Sequence, residues 1–208
     1  MKIFLRVLVL AALGVSGCDY FRPAEPEPPR GETIRPDYTD PDATLLTMAR
    51  GIADKGRTNG ASVYAGALAD STTPSTPAFH QFFSPEDELR WESTSGRPAP
   101  SDWGVVLEQN FYSRFILLRG DAYQMEWKED EFTPLTDIRT DVAFLHRQYL
   151  VTTEAGDTIT IGLAHLEFYR SPLGHWLITR WEDVRDVVHA NSADPEQKSL
   201  GLRRLETQ

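Results

Sequence analysis

The stretch at residues 140–186 constrains the fold more than any other part of the chain. It contains three segments rich in β-branched and aromatic residues, separated by turn-forming residues at 154–157 (EAGD) and 171–174 (SPLG). The three segments span residues 140–153, 158–169 and 175–186. This pattern predicts three consecutive antiparallel strands joined by tight turns. Strands of this length in a small domain favour a strongly curved sheet.

Helical patterns precede this stretch. Asp40 followed by Pro41 is typical of a helix start, and apolar residues at helical spacing predict a helix over 41–54. Asn59 is expected to cap a second, short helix that ends near Asp70. A third helix is predicted from Ser101 onward. Its buried side is expected to carry Trp103, Val106, Leu107, Asn110 and Phe111.

Two further strands and a tail complete the predicted domain. Residues 79–83 predict a short aromatic strand that the residues at 84–87 break, and the alternation over 121–132 predicts a strand with one buried face. The tail at 187–208 stays open: residues 199–205 are consistent with an edge strand or with a disordered end. The order of helices and strands predicts an α+β fold, a curved antiparallel sheet packed on about three N-terminal helices.

The N-terminus has the pattern of a targeting segment. Residues 1–17 combine a basic start with an apolar run too short to span a bilayer as a mature helix. Residues 15–18 (VSGC) resemble a bacterial lipobox, which implies cleavage before Cys18 and lipidation of its sulfur and amino group. Several acyl chains hold a protein stably on a membrane. The expected location is therefore the bacterial cell envelope, with the membrane as a partner through Cys18.

Residues 18–40 predict a tether. Prolines at 23, 26, 28, 29 and 36 block both helix and sheet, so we expect a semi-extended spacer of about 3 Å per residue. Cys18 is the only cysteine in the chain, which rules out an internal disulfide. The net charge of −10 argues against binding to a nucleic acid backbone.

The closing strand carries a resemblance to a known family. Residues 174–183 (GHWLITRWED) match a recurrent G-x-W-x-I-x-x-W-x-D ending, and residues 162–168 and the paired opening helices fit the same pattern. On these features residues 41–186 resemble the nuclear transport factor 2-like superfamily, which includes SnoaL-like and ketosteroid-isomerase-like domains. The resemblance implies a cone-shaped fold. Members include isomerases, cyclases, dehydratases, accessory domains with a pocket and protein-binding modules, so the motif indicates fold more than chemistry.

One polar cluster is predicted on the sheet. A symmetric turn at 154–157 would place His146 opposite His165, with Arg180 beside His165 on the next strand and Glu167 and Glu182 on the same face. Three interpretations remain. The histidines and a carboxylate could bind a metal, His146 or His165 could act as a general base in the cone, or the face could be exposed with its charges paired. The exposed face with paired charges is favoured, and no metal site or cofactor is predicted.

The opposite face is more apolar and is expected to meet the helices. It would carry Ala143, Leu145, Tyr149, Leu166, Phe168, Leu177 and Trp181, with Arg147 and Asp183 toward one end. A bulge in the last strand would change this assignment, so the sides of Trp176, Ile178 and Trp181 stay open. Aromatic residues could line an apolar ligand pocket or simply fill the core. The pocket candidates are Trp103, Tyr123, Trp127, Phe168 and Trp181.

These observations lead to one functional hypothesis and two alternatives. The hypothesis is a membrane-anchored, non-enzymatic domain that binds a small apolar ligand or an envelope protein. The first alternative is an isomerase- or dehydratase-like enzyme that uses His146 or His165 as general base. No carboxylate position matches the one that a ketosteroid isomerase needs. The second alternative is a structural module that forms a homodimer.

Overall fold

The computed structural model describes residues 33–53, 59–117, 123–185 and 198–208. These ranges belong to one compact unit, Glu32–Gln208. The predicted signal peptide, Cys18 and most of the tether lie outside the described residues. Within the described ranges, no helix combines the length and apolar character needed to cross a membrane.

The described ranges contain five α-helices and a π-helical turn. The helices are α1 Pro41–Ala53, α2 Gly60–Gly66, α3 Pro85–Ser95, α4 Val105–Tyr112 and α5 Leu200–Glu206, with the π-helical turn at Ser113–Leu117. The start of α1 is as predicted, because the Asp40 carboxylate accepts a hydrogen bond from the Ala43 N–H at 2.8 Å. Asn59 precedes α2 but does not cap it with its side chain, which instead pairs with the backbone of Ile34.

Six strands form one curved sheet. They are β1 His80–Phe82, β2 Tyr123–Glu129, β3 Thr136–Ile138, β4 Val142–Thr153, β5 Thr158–Arg170 and β6 Trp176–Arg185. The order is β1-β6-β5-β4-β2, with β3 also paired to β4, and all neighbours are antiparallel except β1 and β6. The predicted α+β fold with a curved, mainly antiparallel sheet is confirmed.

A bulge in β6 settles the sides that the sequence left open. Glu167 pairs with Arg180 and Phe168 pairs with Ile178, so Thr179 is the extra residue in β6. Ile178 and Trp181 therefore both face the core, and each is fully buried. The prediction for Leu177 was wrong, since it pairs with Tyr169 on the other side of the sheet. We call the helix-covered side, with Leu145, Leu166 and Phe168, the inner face.

Residues 84–87 end the short strand as predicted, but they also start helix α3, which the sequence analysis missed; the Ser84 hydroxyl accepts a hydrogen bond from the Asp87 N–H at 3.1 Å. Two other predictions were wrong. The buried side of α4 carries Glu108, Phe111 and Tyr112, whereas Val106 is 70% exposed. The tail is neither strand nor disordered at its end, because α5 forms there and is largely buried.

Candidate functional site

The inner face closes around a buried charged side chain. Arg204 of α5 is fully buried and donates to both oxygens of Glu108 on α4, with nitrogen–oxygen distances of 2.8 to 3.0 Å. It also donates to Asp183 of β6 at 2.9 Å. Its guanidinium lies 4.3 Å from the ring centroid of Trp181. Two carboxylates and an aromatic face thus surround one cation, which is how a buried charge is tolerated.

The two carboxylates have further partners. Glu108 accepts hydrogen bonds from the hydroxyl of Tyr64 at 2.5 Å and the indole N–H of Trp103 at 2.7 Å. Asp183 accepts from the hydroxyl of Tyr149 at 2.5 Å. We call these residues the interior network: Tyr64, Trp103, Glu108, Tyr149, Asp183 and Arg204. All are at most 2% exposed, so the network is sealed from solvent.

Burial dominates the electrostatics of this network. It raises the pKa of Asp183 to about 7, although the Arg204 guanidinium and the Tyr149 hydroxyl act in the opposite direction. Burial likewise raises the pKa of Tyr64 and Tyr149 well above the ordinary tyrosine value, and the neighbouring carboxylates Glu108 and Asp183 add to it. Both tyrosines therefore stay neutral donors.

Helix α5 is fixed at its first turn. The Ser199 hydroxyl donates to Asp87 of α3 at 2.6 Å and accepts from the Leu202 N–H at 3.0 Å, which caps the helix. The Leu200 N–H donates to the Tyr149 hydroxyl at 2.9 Å. A Cβ on Gly201 would lie 2.9 Å from an Asp87 oxygen, so a larger residue at this position would displace the Asp87 carboxylate. The helix thus closes the inner side of the sheet with Arg204 at its centre.

The predicted pocket residues are mostly core residues. Trp103, Tyr123, Phe168 and Trp181 are at most 1% exposed and pack in the main hydrophobic cluster. Trp127 is half-buried, 5.4 Å from Trp181 between ring centroids, and lines a surface groove against α1. The sequence pointed to an apolar pocket or a filled core, and the structure places these side chains in a packed core.

The two histidines lie on the outer face, the side of the sheet opposite the helices. Their Cα atoms pair across β4 and β5 as predicted, and the imidazole rings stack with centroids 3.8 Å apart and planes at 16°. The interpretation of His146 or His165 as a general base inside the cone was wrong, because both alternate with the buried residues of their strands. The predicted partner was also wrong, since Glu182 lies opposite His165 and Arg180 lies opposite Glu167.

A carboxylate that the sequence analysis missed completes this cluster. Asp130 follows β2, and one oxygen of its carboxylate, Nδ1 or Nε2 of His146 and Nδ1 or Nε2 of His165 all lie within 4.8 Å of one another. We call Asp130, His146 and His165 the outer-face cluster. Asp130 is 1% exposed and accepts from the Phe132 N–H at 2.9 Å and from the Thr133 hydroxyl.

The surroundings shift the pKa values of two residues in the outer-face cluster. Burial alone would raise the pKa of Asp130, but hydrogen bonds from Thr133 and Phe132 outweigh it and hold the pKa below the ordinary value. Burial lowers the pKa of His165, and the neighbouring His146 lowers it further. The carboxylates of Glu182 and Asp130 act in the opposite direction. The cluster therefore presents an ionised carboxylate beside a His165 ring that favours its neutral form.

A shallow groove of about 280 Å³ runs along the outer face at this cluster. It is lined by Leu135, Phe144, His146, His165, Leu166, Glu167 and Arg180. The Arg180 guanidinium lies 3.9 Å from the ring centroid of Phe82, which is 37% exposed. The groove thus combines apolar side chains with a cation and two imidazoles, a composition suited to binding.

The comparisons with known proteins concern the fold. No family model matches the chain, and no curated protein matches it. Solved structures do match, among them a function-unknown protein from Mycobacterium tuberculosis, 15% identical, covering 80% of this chain and 82% of that chain with a TM-score of 0.49.

Two further structures are similar. ActVI-ORFA from Streptomyces coelicolor is 15% identical, with 70% of this chain and 96% of that chain covered and a TM-score of 0.42. A nuclear transport factor 2 (NTF2-like) superfamily protein from Salmonella enterica is 13% identical, with 72% and 91% covered and a TM-score of 0.39. The last bears the superfamily name to which the closing-strand motif pointed. At these identities the likeness concerns the fold alone.

Proposed function

We propose that this chain is a lipid-anchored protein of the bacterial envelope whose domain binds a partner protein and does not convert a substrate. The observation that carries the proposal is the filled inner face. Arg204, held by Glu108 and Asp183, occupies the centre of the side where a cone-shaped fold would hold a ligand. Since all three side chains are fully buried and bonded to one another, a substrate could reach this centre only by breaking their contacts.

The outer face offers the alternative surface. Apolar side chains continue along β4 and β5 from the groove, with Leu150 opposite Ile161 and Leu163 opposite Val184 on β6. These side chains are half-buried, and the described helices cover the other face. An apolar surface beside a polar rim is the usual composition of a protein-binding site. We therefore assign partner binding to the outer face rather than to the inner one.

The proposed lipid anchor determines where the domain meets its partner. Lipidated Cys18 and the proline-rich residues 18–40 would hold the domain within reach of the bilayer surface. A binding module gains from such placement because its partner is confined to the same layer. In the full chain, Cys18→Ala should move the protein from the membrane fraction to the soluble fraction. Retention on the membrane after this substitution would contradict the anchor.

Site-specific photocrosslinking tests the binding surface. The full chain, expressed in its bacterium, would carry a photoreactive phenylalanine analogue in place of Phe144 or Leu163 on the outer face, or of Val106 on α4 as a control. Val106 is 70% exposed and lies on the helical side. We expect a discrete crosslinked band from the two outer-face positions and none from the control. Equal crosslinking from all three positions, or none from the outer face, would contradict the assignment.

The same crosslinking experiment tests whether the chain forms a homodimer. The strip that contains Leu150, Ile161 and Leu163 belongs to a sheet face, which suits a second copy as well as a different protein. A crosslinked product with twice the mass of the chain would favour the homodimer. Sedimentation of the detergent-solubilised chain as a monomer at high concentration would exclude it.

A further inference from the structure

We propose that the outer-face cluster, Asp130, His146 and His165, is a binding site for a divalent transition-metal ion, zinc in the first instance. Each residue offers one donor atom, and the three atoms lie within 4.8 Å of one another. Imidazole nitrogen and carboxylate oxygen are both zinc ligands, and three protein ligands with one open position form the usual arrangement of a reactive zinc site. This goes beyond the proposed partner binding and does not depend on it.

The first supporting observation concerns the tautomer of His146. Its Nδ1 lies 2.8 Å from the backbone carbonyl oxygen of Thr133. A carbonyl oxygen only accepts hydrogen bonds, so Nδ1 carries the proton and donates it. In the neutral ring the lone pair is then on Nε2, which is the free donor atom. Metal-binding histidines commonly have such a hydrogen bond from their second nitrogen to a carbonyl.

The second observation concerns the carboxylate. Asp130 is 1% exposed, and it accepts hydrogen bonds from the Phe132 N–H and the Thr133 hydroxyl. The same short turn, residues 130–133, thus fixes both the carboxylate of Asp130 and the ring of His146. A ligand carboxylate with its own hydrogen bonds is another feature of metal sites. Two of the three donors are therefore oriented by a single loop.

The third ligand must move. The rings of His146 and His165 are stacked at 16°, and an imidazole lone pair lies in the plane of its ring. Two stacked rings cannot both aim at one ion, and donors around a tetrahedral zinc lie about 3.3 Å apart at zinc–nitrogen distances of about 2.0 Å. Among the described residues no hydrogen bond holds the His165 ring. His165 is thus able to turn toward the ion while His146 and Asp130 stay in place.

Metal titration of the full chain tests this site. The protein, solubilised in detergent and stripped with a chelator, would be titrated with Zn²⁺ by calorimetry and with Co²⁺ by visible absorption. We expect one ion per chain and the intense absorption of tetrahedral Co²⁺. His146→Ala, His165→Ala and Asp130→Asn should each weaken binding at least tenfold. His175→Ala is the matched control, because His175 is an exposed histidine away from the cluster, and its affinity should equal that of the unchanged chain.

A milder substitution tests the site even if the ligand variants do not fold. Thr133→Ala keeps all three ligands and removes only the hydroxyl bonded to Asp130, and it should weaken binding about 10- to 100-fold. Thr133→Ser should restore the affinity. The proposal is overturned if Zn²⁺ does not bind the unchanged chain. It is equally overturned if His146→Ala and His165→Ala bind as tightly as His175→Ala, or if Thr133→Ala binds as tightly as the unchanged chain.

Discussion

The two faces of the sheet use the same strands in opposite ways. On the inner face, Asp183 of β6 and Tyr149 of β4 join a network in which each charge has a buried partner. One residue away along each of these strands, Glu182 and Gln148 face outward. On this face the two histidine rings stack, and no hydrogen bond within the described part of the chain holds the His165 ring. Saturated polar groups stabilise and specify a fold, whereas groups with free donors or acceptors are available for ligands. The comparison therefore supports the proposal that the inner face stabilises the fold and that the outer face binds a partner.

The largest effect is expected from removing the central cation of the inner face. Arg204→Ala would leave Glu108 and Asp183 as buried carboxylates without a counter-charge, which should lower the free energy of unfolding by about 3–5 kcal/mol. Urea denaturation followed by circular dichroism measures the loss. Arg139→Ala is the control, because Arg139 forms an exposed pair with Asp137 and should leave stability nearly unchanged. Equal losses in the two variants would contradict the contrast between the faces.

A smaller loss of stability is expected at Gly162, where the neighbouring atoms leave no room for a side chain. A Cβ at position 162 would lie 2.1 Å from the Tyr149 hydroxyl oxygen and 2.8 Å from the Val184 carbonyl oxygen. Gly162→Ala should therefore shift Tyr149 away from Asp183 and lower the free energy of unfolding by about 1–3 kcal/mol. Gly104→Ala, where the nearest atom is 3.7 Å away, should be tolerated. Thermal unfolding of both variants checks this, and a fully stable Gly162→Ala would refute the packing argument.

The raised pKa of Asp183 predicts the direction in which stability changes with pH. Its pKa is raised to about 7 in the folded chain, so between about pH 4 and 7 the folded state binds its proton more tightly than the unfolded state. The stabilisation is complete below the unfolded pKa and is lost as pH rises through 7. Asp183→Asn removes this contribution while His165, whose lowered pKa acts in the opposite direction, remains.

The measurement is the difference in unfolding free energy between the unchanged chain and Asp183→Asn at several pH values. This difference should fall as pH rises from 5 to about 7 and then level off, since only the unchanged chain loses the Asp183 contribution. The charged neighbours Asp87, Glu108 and Arg204 are present in both proteins. A difference that is flat with pH, or that grows, would contradict the raised pKa.

The smallest effect on stability is expected at the outer face. His165→Ala removes a half-buried ring that has no hydrogen bond among the described residues, so the change in unfolding free energy should stay within about 1 kcal/mol. The same urea experiment used for Arg204→Ala measures it. A loss as large as that of Arg204→Ala would mean that the outer-face cluster also holds the fold together.

The sequence was sufficient where local patterns determine the structure. The turn residues at 154–157 predicted the pairing of His146 with His165 correctly, although the register shifts by one residue between Val151 and Thr152, which lie between the turn and that pair. The register of β6 depended on a bulge at Thr179, and no residue type marks that position in advance. The predicted partner of His165 was wrong by two residues, because the turn already pairs Arg170 with Trp176 and the bulge then shifts the register by one more residue.

The interior network could not be predicted because its members are distant in sequence. Glu108 and Arg204 are 96 residues apart, and their pairing depends on where α5 packs. Signals for α5 were nevertheless present, since Ser199 is a good N-cap and Leu202 and Leu205 share one side of a helix. Ser84 with Pro85 likewise marks the start of α3 rather than only the end of a strand. Asp130 is held near the histidines by the turn at residues 130–133, and no sequence pattern predicts that placement.

The most direct test of the closed inner face is solvent exchange of the Arg204 side chain. The Nε–H of Arg204 donates to both oxygens of Glu108 within a fully buried site. In a nitrogen–proton correlation spectrum of the full chain in detergent, its signal, assigned by Arg204→Lys, should persist for hours after transfer to heavy water. The Arg139 signal should vanish at once. Loss of the Arg204 signal as fast as that of Arg139 would show an open inner face, and the assignment of recognition to the outer face would fail with it.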